Sequence, residues 1–340
     1  TNNTISASTQ SLIGGGSNNT LINGLDSSII NGASNTNIDS GRSIIGGGLS
    51  NLLDTVTAST IVVGQENTIG KSDTSSIVSG LKNTITASTQ SIIGAGSNNE
   101  IIDTSSSSSL ISGVGNKVIR SNSTILGSGS ANTITHSTNA VLGGGENNLI
   151  SGETSSSIVG GKDNIILGGV RNRNNYNIIG GGDGNLITNT TKSAIVAGEN
   201  NTITASTSTI VGSGTKNKII NSGRAALMAG SGNTINVSLD SSLISGVNNT
   251  IDDSDSALLG SGLNNSIIGV SNMSSLVSGE LNVVTASTHS ILGAGLNNRM
   301  NSAPHSTLGS GINNLILSGD SNILGSGVKN KITSSDRTAL

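Results

Sequence analysis

Ser91-Ile92-Ile93-Gly94-Ala95-Gly96-Ser97-Asn98-Asn99-Glu100-Ile101 is the stretch that decides the fold, because its Gly-x-x-Asn segment, Gly96 to Asn99, returns in twenty successive units. The same pairing joins Gly16 to Asn19, Gly48 to Asn51, Gly64 to Asn67, Gly80 to Asn83, Gly129 to Asn132 and Gly145 to Asn148. It continues through Gly214 and Asn217, Gly262 and Asn265, Gly295 and Asn298, and Gly327 and Asn330. A repeat of about 16 residues sustained over a 340-residue chain marks a stacked array, in which each unit contacts its neighbours. Gly suits a corner that needs positive φ or close backbone approach. Asn bonds turn backbone with its own amide and tolerates the left-handed region, and stacked copies can bond one another as a ladder.

Upstream of each Gly lies a pair of adjacent apolar residues, such as Ile92-Ile93 or Ile77-Val78. Two residues after each Asn comes a third apolar position, as at Ile85 and Ile101, broken only by Asn37. Ile and Val dominate these runs, which are short and end at Gly or at Ser/Thr/Asp clusters, as strands do. The expected fold is all-β: a parallel β-solenoid, or β-roll, of about twenty coils of about 16 residues with two short strands each. The distance from the second residue of the pair to Asn is five or six, which reads as a one-residue insertion at the corner. The polar segment beyond the third apolar position, for example residues 86–90 or 103–109, reads as a loop-bearing face of variable length.

Neighbouring strand residues point to opposite faces. Taking the second residue of each pair as inward turns the first outward, giving a stripe of Ile29, Ile44, Ile61, Ile77, Ile92, Leu110, Ile125, Ile158, Ile178 and Ile210. A stripe of that length exceeds what a monomer normally exposes and predicts self-association.

Composition narrows the remaining classes. The chain has no Phe, Trp or Cys, one Pro and 48 Gly, so its core is thin and aliphatic and disulfides are excluded. A formal charge of -3, with a tenth of the residues charged, argues against nucleic acid as a partner. No apolar run is long enough for direct membrane insertion by this segment. The array reads as one continuous solenoid over residues 1–340 that begins and ends mid-coil, a section of something longer. Residues 76–101 and 275–300 match at most positions, as block duplication would produce. One unit swells after Gly161 to include Arg171, Arg173 and Tyr176, a contact loop for a receptor or glycan or else an extruded solvated loop.

Chemistry is sparse. His136, His289 and His305 share no metal-ligand spacing, and Asp252, Asp253 and Asp255 read as a solvated cluster rather than a calcium site. Gly180 to Leu186 resembles a calcium-binding nonapeptide only loosely and occurs once, where that architecture uses tandem copies. No cluster fits catalysis, so no enzymatic activity, cofactor or metal is expected. Thr84-Ile85-Thr86, Thr133-Ile134-Thr135 and Thr202-Ile203-Thr204 raise an alternative, an ice-binding solenoid with Thr arrays. Glu100, Lys117, Lys218, Arg299 and Lys331 interrupt that array in other coils.

The Ser-apolar-apolar-Gly entry, at Ser11 to Gly14, Ser43 to Gly46 and Ser91 to Gly94, and the Asn-x-apolar exit together resemble the head repeats of YadA-like trimeric autotransporter adhesins and related repeats of phage and viral fibres. The resemblance covers nearly the whole chain. It implies a left-handed parallel β-roll, a homotrimer packed through its apolar strands, and a place on a cell surface, in an extracellular fibre or on a virion. The partners it implies are further copies of the chain and an unidentified receptor, glycan or matrix.

Overall fold

The computed structural model describes residues 2–168 and 175–340. It is all-β and forms a parallel β-solenoid of about twenty coils, described as two stacks, one before and one after residues 169–174. The expectation of one continuous solenoid over residues 1–340 turns on those six positions, which lie outside the described residues.

One coil shows how the sequence becomes a wall. Ser76–Ile77 forms a two-residue strand, Thr84–Thr86 a three-residue strand, and each pairs in parallel with its counterparts in the coils before and after. Ile77 stands over Ile61 and under Ile93, and Ile85 follows Ile69, so these two columns stay aliphatic through these coils. Between the strands the chain turns through residues in the left-handed region: Gly80 (φ 114), Lys82 (φ 55), Ala87 (φ 51) and Gln90 (φ 54). Five side chains per coil point inward and are fully buried, here Ile77, Asn83, Ile85, Ser88 and Ser91.

Only two of those five columns are aliphatic. The other three are polar ladders, needed because backbone N–H groups at the corners point into the coil and must find acceptors. The Asn83 Oδ1 accepts the Asn99 backbone N–H at 3.1 Å, while its Nδ2 donates to the carbonyls of Ser79 and Gly96. Ser75 Oγ accepts the Ser91 N–H at 3.2 Å and donates to the Ser88 carbonyl, and Ser72 Oγ accepts the Ser88 N–H at 2.9 Å. The polar segment after the three-residue strand is therefore not a loop-bearing face. It is a third wall, stitched by parallel bridges such as Thr9 to Leu25 and by the two Ser ladders.

The corner has a fixed length as well. In every coil the inward aliphatic sits six residues before the ladder Asn, as Ile77 before Asn83 and Ile93 before Asn99, so there is no corner insertion. Spacing between corner glycines is 16 except where residues 104 and 270 add one each and where the segment at 169–174 intervenes. Thr104 (φ 67) and Val270 (φ 53) enter at the same corner, immediately after a three-residue strand. Asn37 occupies an aliphatic column between Leu21 and Leu53; its Nδ2 reaches the Ser43 carbonyl at 3.4 Å and its Oδ1 finds no partner.

Candidate interaction surface

The glycines Gly16, Gly48, Gly64, Gly80, Gly96, Gly129, Gly145, Gly214, Gly262, Gly295 and Gly327 all sit at positive φ, between 87 and 137°. A Cβ on Gly80 would land on the carbonyl oxygen of Gly96 in the next coil, so the corner excludes every side chain. The asparagines Asn19, Asn51, Asn67, Asn83, Asn99, Asn132, Asn148, Asn217, Asn265 and Asn298 are buried, and Asn330 is half-buried in the last coil. These groups are the frame on which the outward surface hangs.

The outward stripe needs correction. Ile44, Ile92, Ile125, Ile178 and Ile210 are exposed as expected, but Ile29, Ile61, Ile77, Leu110 and Ile158 are wholly interior. In those five coils the outward aliphatic is the following residue: Ile30, Val62, Val78, Ile111 and Val159. The cause is the constant six-residue step to Asn, which fixes the inward position; strand alternation then turns both of its neighbours outward. Position within the pair is not the determinant.

A compensating rule follows from the two outward neighbours. Where the residue before the inward one is a large aliphatic, as Leu12, Ile44, Ile92, Ile178 or Ile291, the residue after it is Gly: Gly14, Gly46, Gly94, Gly180 and Gly293. Where the residue before is small, as Ser28, Ser76 or Ala226, the residue after is Ile30, Val78 or Met228. The Gly is sterically required, since a Cβ on Gly14 would meet the Ile30 carbonyl oxygen at 2.7 Å. The short-strand face thus presents an aliphatic knob, with a small residue or a glycine hollow beside it, in nineteen of twenty coils; the exception carries Thr307 and Gly309.

A second set of exposed aliphatics had a signal that was not used. Val247, Leu263, Leu296, Ile312 and Val328 each follow a corner glycine, within GVNN, GLNN, GLNN, GINN and GVKN, and all are exposed. The equivalent position in the first stack is likewise exposed at Leu49, Leu81 and Val114.

The outward side of the three-residue strands is different. Thr84 and Thr86 are half-buried, and the column running Thr68, Thr84, Glu100, Lys117, Thr133, Leu149 mixes hydroxyl, charged and aliphatic groups. Charges are paired between successive coils: Lys117 Nζ lies 3.0 Å from Glu100, Lys82 3.5 Å from Glu66, and Arg120 3.7 Å from Asp103. Arg224 grips Asp240 through two bonds of 2.5 and 2.7 Å. The hydrogen bond from Arg224 holds the Asp240 carboxyl below its ordinary value, and the guanidinium is raised in return. His289 and His305 stack at 5.2 Å, and a hydrogen bond donated by His305 Nδ1 to Asp320 Oδ1 lowers the Asp320 carboxyl.

Arg171 and Arg173 lie outside the described residues; Tyr176 beside them is exposed. His136, His289 and His305 occupy left-handed corner positions rather than loops. Asp255 Oδ1 accepts the Leu239 N–H at 2.7 Å, and Ser254 is an interior ladder residue. Gly182 and Asn185, within the run from Gly180 to Leu186, are an ordinary corner and ladder pair. Among the described residues, no group of three or more His, Asp or Glu is placed to hold a metal ion, and no helix is long and apolar enough to cross a membrane.

No family model matches this chain, and no curated protein does. Among solved structures, a crystal structure from Desulfovibrio desulfuricans G20, of a protein named provisionally as an acetyltransferase, aligns over 72% of this chain. The alignment spans 64% of that protein at 11% identity and a TM-score of 0.21, a likeness too slight to carry an argument.

Proposed function

We propose that the chain is a structural and adhesive section of an extracellular or particle-surface fibre, without enzymatic activity, in which three copies pack about a common axis through their short-strand faces. The observation that carries this reading is the aliphatic knob of the short strands, half-exposed in nineteen of twenty coils. Scattered exposed aliphatics are normal in soluble proteins, but one per coil on the same face makes, within each stack, an extended apolar surface that water disfavours. The knobs lie beside small residues or glycines, which leaves room for the knobs of a neighbouring copy. The trimer, the left-handed coil and the surface location rest on the resemblance of the repeat to YadA-like heads. The outward corners, which vary from coil to coil, are the part left free for a receptor, glycan or matrix.

Light scattering on the intact chain tests the proposal. A mass near three times 33.6 kDa is expected. A monomer at micromolar concentration overturns self-association, and a stable dimer overturns the three-fold packing alone. Clear thermal hysteresis would instead favour an ice-binding role for the Thr-bearing face of the three-residue strands.

A further inference from the structure

The chain contains two Asn-Gly steps, Asn23-Gly24 and Asn31-Gly32, in neighbouring segments of the first stack. Such a step can cyclise: the glycine nitrogen attacks the asparagine side-chain carbonyl carbon. The two sites have opposite geometries. At Asn31 the Gly32 N–H donates to the residue's own side-chain Oδ1 at 2.7 Å, which holds the side chain folded back against the nitrogen that must attack its Cγ; both asparagines are exposed. At Asn23 the side-chain amide is held by Asp39, its Nδ2 donating to Oδ1 at 2.7 Å. The Gly24 N–H donates at 2.9 Å to Ser8 Oγ of another coil rather than to its neighbour's own side chain, and Asn23 itself is fixed in the left-handed region at φ 49.

From this contrast we infer that Asn31 is a site of spontaneous deamidation in the folded protein, and that Asn23 is protected. The reaction needs only water as co-reactant. Gly32 N bonds to Asn31 Cγ as the Gly32 proton passes to solvent, and the bond from Cγ to the side-chain nitrogen breaks. That nitrogen takes up a proton from solvent and leaves as ammonia, giving a succinimide. Water then adds to either imide carbonyl and opens the ring to aspartate or isoaspartate, so the net change is amide plus water to acid plus ammonia. A side chain already folded back against the attacking nitrogen supplies the rate advantage over one held elsewhere. The product sets a carboxylate directly beside Ile30, and the isoaspartate form lengthens the main chain by one carbon next to the Gly32 corner (φ 106).

The test is peptide mapping by mass spectrometry of the intact folded chain, incubated at mildly alkaline pH, with parallel samples in concentrated urea. Asn31 should convert to an aspartate and isoaspartate mixture at least about tenfold faster than Asn23 in the folded protein. In urea, where both steps lose their geometry, the two rates should converge. The Asn31→Gln variant should abolish the fast ammonia release. Equal rates in the folded chain, a faster Asn23, or an unchanged Asn31 while the urea sample converts would each overturn the inference.

Discussion

Asn83 and Ile92 occupy the places that their chemistry would ordinarily assign to each other: the amide is fully buried and the aliphatic is 47% exposed. The inner wall is more polar than aliphatic by column count, while the outer face of the short strands is aliphatic. The difference teaches that the two surfaces answer different demands. Inside, parallel stacking leaves backbone N–H groups pointing at the interior of each corner, and a side-chain oxygen repeated at the same level satisfies them in most coils, with Ala or Val standing in the Ser columns at positions such as Val56 and Ala140. Outside, no backbone group needs the knobs, so their chemistry is free to serve contact with another molecule.

Breaking the inner side should have the largest effect. Asn83→Leu leaves the Asn99 N–H without its acceptor and removes the amide donor from the Ser79 and Gly96 carbonyls, of which Gly96 keeps the Leu81 N–H. A local loss of about 2–4 kcal/mol is expected from the unsatisfied groups. Hydrogen exchange should show lost amide protection in the flanking coils, because a repeat array opens locally before it unfolds as a whole.

Breaking the outer side should spare the fold. Replacing Ile44, Ile92, Ile125, Ile178 and Ile210 together with Ser should change stability by at most about 0.5 kcal/mol per site. The same variant should run as a monomer in light scattering if the knobs hold copies together. Loss of the fold without loss of association would invert the distinction between the two sides.

Asn37 sharpens the comparison, since it is an amide placed in an aliphatic column instead of a ladder. Its Oδ1 has no partner, so Asn37→Leu should stabilise the first stack by about 1 kcal/mol. Chemical denaturation monitored on the early coils would register the gain. The smallest effect should come from the exposed ion pairs. Because the Asp240 carboxyl is lowered in the folded chain, its contribution is complete above the unfolded carboxylate value and is lost as pH falls through the folded one. Asp240→Asn should therefore flatten the acid limb of the melting temperature only slightly, and salt should mask the difference.

The corner glycines and ladder asparagines were legible because their chemistry is nearly unique: few residues accept both the conformation and the hydrogen bonds. The stripe was half-legible. In Ile77-Val78 and Ile92-Ile93 either member can face inward under a period of two, and only the count to Asn83 and Asn99 resolves which. The Ser columns were not legible at all. Ser75 and Ser91 carry no hydrophobic signal, and their burial depends on an N–H contributed by the next coil, a contact 16 residues away in sequence. Nor could the corners at Lys82 and Gln90 be foreseen, since nothing about Lys or Gln favours a left-handed backbone.

The extra residues Thr104 and Val270 share one corner, and neither disturbs the pairing of Ile101 with Val118 or of Ile267 with Val284. Length and register are thus uncoupled at that single joint. Each stack has a seam at the equivalent corner where one residue has been let in without re-cutting the pattern, and the coils on either side of it keep their alignment.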